Sequence, residues 1–194
     1  MSLLHTSTTA DYLEWDTMLS IVRRLYKDGN YRISLLIGIG AFTGLRISDI
    51  LSLRGKMVLG DSFKLVEKKT GKVREVKINK GFRGHIQDCF RMLGIENVDE
   101  PCFISRKNSV YSVQRVNVIL KEVKEKYNVK ISHFSTHSLR KTFGRRVVEM
   151  AGERSEMALI KLAELFNHST PQITRRYLGL RREELLEVYE ELYF

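Results

Sequence analysis

The chain has 194 residues, 43% of them hydrophobic, so it is long enough and apolar enough to bury the core of one ordinary domain. Lysine and arginine outnumber aspartate and glutamate by 33 to 23, and the net charge of +10 is typical of proteins that meet polyanions such as nucleic acid. No apolar run approaches the ~20 residues of a membrane span, and the N-terminus lacks the basic-then-apolar order of a signal peptide, which predicts a cytoplasmic protein.

The N-terminal quarter of the chain predicts three helices. A helix-start signal at residues 9–11 precedes an amphipathic run that should end at residues 28–30, where Asp, Gly and Asn follow one another. YRISLLIGIGAF then predicts a largely buried helix that ends at Gly44, and a short helix is expected over residues 46–53.

Short β-prone runs follow. MVLG, DSFKLVEK and VREVKIN are separated by turn-forming sequences at residues 60–61 and 69–72, as in a small antiparallel sheet. From Gly81 onward, apolar residues recur every three or four positions, which predicts helices in GHIQDCFRML, VQRVNVILKEVKEKY, HSLRKTFGRRVVEM, MALIKLAELF and REELLEVYEELY. Because no linker or fixed-period repeat interrupts the chain, we predict one domain over residues 1–194, mainly α with a small antiparallel β-sheet, an α+β fold.

The two cysteines give no sign of a metal or redox site. Cys89 and Cys102 do not fit a CxxC spacing, and in a reducing compartment two such residues are expected to remain free thiols. The chain also lacks a GxxxxGK[ST] phosphate loop. We therefore expect no disulfide and no cofactor.

Arg46 is the first candidate for an anion-binding residue. It follows residues 43–45 at a predicted tight turn into a helix, where unpaired backbone N–H groups and the helix dipole favour an anion. An arginine at that position can add two parallel hydrogen bonds. The alternative interpretation is a surface arginine that pairs with Asp49, three residues further on.

His137 and Arg140 repeat this pattern at a second predicted helix start, with Ser135 or Thr136 as the N-cap. Their spacing of three places them on one helix face, where both could hold the same small anion. A core histidine beside a solvated arginine is the alternative. His133 and His137 are also four apart, but HFSTH lacks the acid of HExxH and no acidic cluster lies nearby, so we expect no metal site.

Tyr177 is a candidate nucleophile in the C-terminal segment FNHSTPQITRRYLGL. It directly follows Arg175 and Arg176, and nearby positive charge favours the ionised form of a phenol. His168 lies nine residues earlier. A tyrosine that only packs against its neighbours is the alternative, because that is the ordinary role of the residue.

Together these segments resemble the tyrosine recombinases, the phage-integrase type of site-specific DNA recombinase. The motifs TGLRISDILSL, KKTGK, HSLR, NHS and RRYLGL occur in that family's order and at roughly its spacing. The resemblance extends over about residues 10–190. It implies the catalytic-domain fold of the family, with a catalytic core over about residues 10–180 and a tail helix over residues 181–194.

The resemblance implies roles for six side chains. Arg46 and Arg140 are implied to bind the non-bridging oxygens of the scissile phosphate. Tyr177 is implied to attack that phosphate and form a 3′-phosphotyrosyl link. His137 is implied to assist proton transfer, and His168 to hydrogen-bond the phosphate.

Lys69 is the sixth residue, implied to be the turn lysine that protonates the leaving 5′ oxygen. Lys68 and Lys72 flank it and remain alternatives for this role. Asp49 stands where the family usually has an acidic residue that supports the first arginine. Asn167 replaces the glycine that usually precedes the second histidine.

The implied function is site-specific recombination or integration of double-stranded DNA by metal-independent strand cleavage and rejoining, with self-association on DNA into a tetramer at synapsis. A non-cutting DNA-binding regulator on the same fold and a type IB topoisomerase-like enzyme are the alternatives. Family members commonly carry an additional N-terminal DNA-clamping domain of ~100 residues, a common domain size. This chain has no room for that domain, so we expect it to be the catalytic domain of a longer protein.

Overall fold

The computed structural model describes residues 10–105 and 107–190, with the side chains of residues 182–185 excepted. The described chain is mainly helical with one two-stranded antiparallel sheet, which confirms the predicted α+β class. The elements, in chain order, are α1 (Trp15–Lys27), α2 (Tyr31–Thr43), α3 (Ile47–Ile50), α4 (Gly55–Val58), β1 (Ser62–Val66), β2 (Val73–Lys77), α5 (Lys80–Leu93), α6 (Val113–Lys126), α7 (Thr136–Ala151), α8 (Ser155–Phe166), α9 (Pro171–Leu178) and α10 (Leu180–Glu190).

The chain divides into two compact units between Phe143 and Gly144, within α7. In the N-terminal unit, apolar side chains of α1, α2, α5, α6 and the sheet share one hydrophobic core. Helix α2 packs against both α1 and α5 and is almost entirely buried. In the C-terminal unit, α9 packs against α8 and α10.

Helix α1 begins later than predicted. The start signal at residues 9–11 suggested a helix from about Tyr12, but the first helical residue is Trp15. The Asp11 carboxylate instead accepts hydrogen bonds from the backbone N–H groups of Ser132 (2.6 Å) and His133 (3.0 Å). Because this side chain is used by a distant loop, it does not cap the helix.

The segment MVLG was predicted to be a strand, and this prediction is wrong. Its first two residues instead form the end of the short helix α4. Short apolar runs do not distinguish a strand from a buried helical turn. The helix start is fixed by long-range contacts, because the N–H of Lys56 donates to the Val98 carbonyl at 2.8 Å. The helix predicted over residues 46–53 is also shorter, and α3 ends at Ile50.

The hairpin was predicted correctly. Strands β1 and β2 pair antiparallel, and Phe63 and Leu65 point into the core from β1 as Val76 does from β2. Arg74 lies opposite Leu65 and its side chain is 10% exposed, so the alternation of the strand directs an arginine inward. This arginine is part of the site described below.

The C-terminal segment contains one helix that was not predicted. Helix α9 lies in a segment for which no helix was predicted, and Thr170 caps it by accepting a hydrogen bond from the N–H of Ile173. Of the predicted tail helix, α10 is observed as far as Glu190, and Leu192 and Tyr193 lie outside the described residues. Across the two described stretches, no helix is both long and apolar enough to cross a bilayer.

The turn after α2 requires a glycine. Gly44 has a φ of +59°, and a Cβ built on it would lie 2.3 Å from Cδ1 of Phe143. We therefore expect Gly44→Ala to lower the free energy of unfolding by about 2–4 kcal/mol, the sum of left-handed strain and overpacking. Gly71 is the control, because it has a φ of +68° but nothing within 4 Å of its Cβ position.

The measurement is urea denaturation of both variants. Gly71→Ala should lose only about 1 kcal/mol, the cost of left-handed strain alone. Equal losses in the two variants would mean that the overlap with Phe143 is relieved without cost.

Candidate active site

Arg46 lies directly before α3 in an extended conformation, at the N-cap position of that helix. Its Nη1 donates to Oε2 of Glu67 at 2.8 Å, and the Glu67 side chain is fully buried. The Asp49 carboxylate accepts from the backbone N–H of Lys68 at 2.9 Å. The structure thus gives Arg46 a buried carboxylate that neither sequence interpretation named, and ties Asp49 to the start of the hairpin turn.

Glu67 is the centre of a small ionic network. Besides Arg46, its carboxylate receives the hydroxyl of Thr70 at 2.8 Å and lies 3.6 Å from Nη1 of Arg74. Burial alone would raise the pKa of Glu67, but the Thr70 hydrogen bond and the charges of Arg46 and Arg74 outweigh it and lower the pKa. Glu67 is therefore an ionised carboxylate at neutral pH.

The turn that carries Lys69 connects the two strands. Its ends are closed by backbone hydrogen bonds, from Gly71 N–H to the Glu67 carbonyl (2.8 Å) and from Glu67 N–H to the Lys72 carbonyl (2.9 Å). Lys68, Lys69 and Lys72 are all exposed. Burial therefore does not distinguish the three lysines.

Arginines from two further elements bind backbone carbonyls at the C-terminal end of α2. Arg140, in the first half of α7, is 5% exposed and donates to the carbonyl oxygen of Gly44. Arg74 donates to the carbonyl oxygen of Thr43 at 2.7 Å. Because Arg46 follows two residues after Gly44, the turn after α2 gathers three arginines that are distant in sequence.

His137 lies one turn of α7 before Arg140. The helix starts as predicted, with Ser135 at the N-cap position, and Oγ of Ser138 accepts the N–H of Ser135 at 3.1 Å. His137 is exposed overall, yet partial burial of its imidazole, followed by the charges of Arg140, Lys141 and Lys69, lowers its pKa from the ordinary 6.5. His137 is therefore neutral at physiological pH.

The effect of Lys69 on His137 can be measured by NMR titration of the imidazole. The midpoint for His137 should lie below 6.5 in the parent chain. Lys69→Gln removes one of the charges that disfavour the imidazolium, so the midpoint should rise. Lys72→Gln is the matched control, and an equal rise in both variants would contradict a specific effect of the Lys69 charge on the His137 pKa.

The C-terminal unit holds the other two predicted residues, His168 and Tyr177. Their ring centroids are 5.4 Å apart at an interplanar angle of 71°, and both rings meet Phe166 edge-on. His168 Nδ1 lies 2.9 Å from the Thr174 hydroxyl, which fixes the orientation of the imidazole. Tyr177 is half-buried in the last turn of α9, and its ring is held by this aromatic cluster.

Asn167 resolves the question raised by the missing glycine. It ends α8 in the left-handed conformation, with a φ of +52° and ψ of +43°. Asparagine is the residue after glycine that most readily takes this conformation. The backbone therefore turns sharply before His168 as a glycine would allow.

Two sets of residues give no indication of further chemistry. Among residues 10–105 and 107–190, no group of three or more His, Cys, Asp or Glu residues is arranged to hold a metal ion. Cys89 and Cys102 are free, as predicted, and both are buried, which raises the pKa of each thiol to about 12. Neither thiol is reactive at neutral pH.

Glu67 and Arg74 were missed by the sequence interpretation. The signal was the alternation of the strands, because Glu67 has the same parity as the buried Phe63 and Leu65, and Arg74 the same parity as the buried Val76. Two opposite charges at inward positions on either side of one hairpin predict a buried ion pair.

Comparison with known proteins identifies the family of the chain. Residues 11–184 match the phage integrase family, a stretch that contains all six predicted site residues. The probable integrase/recombinase YoeC of Bacillus subtilis (strain 168) is 29% identical over 170 residues, which is 87% of this chain and 89% of YoeC.

Two crystal structures have the same fold. XerA recombinase matches with a TM-score of 0.71 and 16% identity, over all of this chain and 68% of XerA. XerH recombinase, in a post-cleavage complex with a palindromic difH substrate, matches with a TM-score of 0.67 and 21% identity, over 98% of this chain and 57% of XerH. The chain thus spans about two thirds or less of these recombinases. From the match over residues 11–184, the chain belongs to the phage integrase family.

Proposed function

We propose that this chain carries out site-specific DNA recombination, by cleaving and rejoining double-stranded DNA through a covalent 3′-phosphotyrosyl intermediate. The single observation that carries the proposal is the convergence of Arg46, Lys69, His137 and Arg140, which come from three separate motifs, in the N-terminal unit. Membership of the phage integrase family and the DNA complex of the related XerH support DNA as the substrate.

In the proposed reaction, Arg46 and Arg140 bind the two non-bridging oxygens of the scissile phosphate. A guanidinium presents donors in a rigid fork that matches phosphate oxygens, and its charge stabilises the transition state. Lys69 protonates the departing 5′ oxygen, and the neutral His137 assists proton transfer. The lowered pKa of His137 supports this role, because a histidine that is neutral at pH 7 can accept a proton.

Tyr177 is the proposed nucleophile in the C-terminal unit, and His168 the second histidine that hydrogen-bonds the phosphate. The phenolic oxygen forms a bond to phosphorus as the bond from phosphorus to the 5′ oxygen breaks. The phenolic proton is lost, and the 5′ oxygen gains a proton to become a free hydroxyl. One phosphodiester replaces another, so attack by a 5′ hydroxyl can reverse the step and reseal DNA without ATP.

The positive charge for this reaction comes from the protein. Phosphoryl transfer requires charge stabilisation, which many enzymes obtain from Mg²⁺ held by carboxylates. Here we propose that arginines and a lysine fill that role, so the reaction should proceed in a chelator. Loss of adduct formation on addition of a chelator would contradict this part of the proposal.

Self-association on DNA, as a tetramer at synapsis, is the proposed assembly. The described part of α10 supports it, because Leu186, Val188 and Tyr189 are all more than half exposed on a helix that also carries Glu187 and Glu190. Such apolar exposure is typical of a surface that contacts another protein. Capture of one labelled DNA site by a second site, bridged by the protein, would distinguish a recombinase from a topoisomerase-like enzyme.

The experiment that tests the function uses a nicked suicide DNA substrate made from the ends of the element that encodes the chain. Cleavage beside the nick releases a short 5′-hydroxyl fragment, so the covalent intermediate cannot religate and accumulates. A protein–DNA adduct that survives denaturing electrophoresis is the expected result. DNA binding without any adduct would instead identify the non-cutting regulator.

A further inference from the structure

Glu67 contacts two parts of the candidate site, Arg46 and the turn that carries Lys69. We propose that Glu67 is a positioning residue, which fixes the phosphate-binding Arg46 and the turn carrying Lys69 relative to each other. This inference rests on the proposed function. It adds to the six motif residues one carboxylate that acts through them and does not touch the DNA.

The side chain of Glu67 makes the first half of this connection. A single oxygen, Oε2, accepts Nη1 of Arg46 at 2.8 Å and the hydroxyl of Thr70 at 2.8 Å. The other oxygen, Oε1, faces Nη1 of Arg74 at 3.6 Å. Thr70 is the residue after Lys69 in the turn, so one carboxylate oxygen links the first arginine directly to the turn.

The backbone of Glu67 makes the second half. Its carbonyl accepts the N–H of Gly71 at 2.8 Å, and its N–H donates to the Lys72 carbonyl at 2.9 Å. Both ends of the turn are therefore closed on Glu67, with Lys69 between them. A further hydrogen bond, from the N–H of Lys68 to Asp49, ties the same turn to the helix that follows Arg46.

Stability alone is a weak reason to bury this carboxylate. Taking an ionised carboxylate out of water is expensive, and apolar replacements of buried ion pairs often stabilise a protein. Orientation is a stronger reason, because anchoring Nη1 of Arg46 on a fixed oxygen restricts where its planar guanidinium can lie. A misplacement of about 1 Å at reacting groups can slow a reaction on the order of a hundredfold.

The test compares adduct formation by Glu67→Gln, Thr70→Val and a matched control, Glu75→Gln. Glu75 lies on β2, pairs with Lys64 at 3.9 Å and is 62% exposed, so its substitution changes the net charge identically outside the site. Each variant is given two suicide substrates, one with the natural 5′ oxygen and one with sulfur at that bridging position. A thiolate leaves without general-acid help because its conjugate acid has a pKa of about 8.5.

With the oxygen substrate, Glu67→Gln should form adduct about ten- to a hundredfold more slowly than the parent, with unchanged DNA affinity and far-UV circular dichroism. Thr70→Val should also form adduct more slowly than the parent, because it removes the hydrogen bond between Glu67 and the turn. With the sulfur substrate, Thr70→Val should regain the parent rate and Glu67→Gln should recover in part. Glu75→Gln should match the parent on both substrates.

Several outcomes would overturn the inference. Parent-like rates of Glu67→Gln and Thr70→Val on the oxygen substrate would show that the connection is not used. Equal slowing of Glu67→Gln on both substrates would show that it acts only through Arg46. If Glu67→Gln unfolds, Thr70→Val decides, and a parent rate for that variant on the oxygen substrate would reject the proposal. A parent chain that forms no adduct would reject the proposed function, and this inference with it.

Discussion

Replacing Tyr177 with phenylalanine should abolish the covalent protein–DNA adduct, while the fold and the affinity for DNA stay close to those of the parent. The substitution removes one oxygen atom and keeps the ring. That ring packs edge-on against Phe166 at 5.8 Å and His168 at 5.4 Å, and phenylalanine can make both contacts. The variant therefore separates the chemistry of the phenol from its packing.

The loss should be complete, because no other atom of the variant can take the place of the nucleophile. A free tyrosine phenol ionises near pH 10, so at neutral pH it must be held against the phosphate and lose its proton as it attacks. Phenylalanine has no proton to lose and no oxygen to attack with. Denaturing gel electrophoresis of the suicide-substrate reaction gives the adduct yield, and a gel shift gives the affinity.

Tyr31→Phe is the matched control, because Tyr31 begins α2 and packs edge-on against Tyr26 at 5.0 Å, a contact that phenylalanine can keep. It should form adduct at the parent rate. Adduct that persists in Tyr177→Phe, or that peptide mapping assigns to Tyr189 or Tyr193, would refute the assignment of the nucleophile.

The second large effect is expected at Arg140. Arg140→Ala should slow adduct formation on the order of a hundredfold or more, because an aligned charged donor contributes about 3 kcal/mol to the transition state. The variant should also be less stable by about 1–3 kcal/mol, since the carbonyl of Gly44 loses a buried hydrogen bond. Single-turnover kinetics and urea denaturation measure the two losses separately.

Two further variants make this result specific. Arg140→Lys keeps the charge but loses the planar fork, so it should remain slow although its stability is closer to that of the parent. Arg91→Ala removes the same charge at a site that is 73% exposed and paired with Asp88, and it should react like the parent. A rate for Arg140→Ala within a few fold of the parent would exclude Arg140 from the transition state.

The positions of several predicted site residues have a local signal in the sequence. Arg46 follows a glycine that ends a buried helix, and His137 and Arg140 stand at a helix start directly after Ser135. Such positions are set by backbone geometry within a few residues, which a motif records directly. The hairpin was predictable for the same reason, because its turn and its alternation are local.

The features that were not predicted depend on contacts between residues that are far apart in the sequence. The segment MVLG was interpreted as a strand because its apolar run is short, but the backbone at Lys56 bonds to Val98, some forty residues away. Asp11 was part of the predicted helix start, but its carboxylate accepts a hydrogen bond from the backbone N–H of Ser132 in a distant loop. Strand alternation could have indicated Glu67 and Arg74 as a pair, but their contacts with Arg46 and with the Thr43 carbonyl depend on the distant turn after α2.

The carbonyl groups at the C-terminal end of α2 hold two of the arginines of the candidate site. They carry the negative end of a helix dipole, and Thr43 and Gly44 each hold an arginine there, while Glu67 balances Arg46. In the folded chain, these two carbonyl groups and the Glu67 carboxylate therefore offset the repulsion between the three arginines. Under the proposed function, an incoming phosphate would meet donors already in place, and little binding energy would be spent on gathering them.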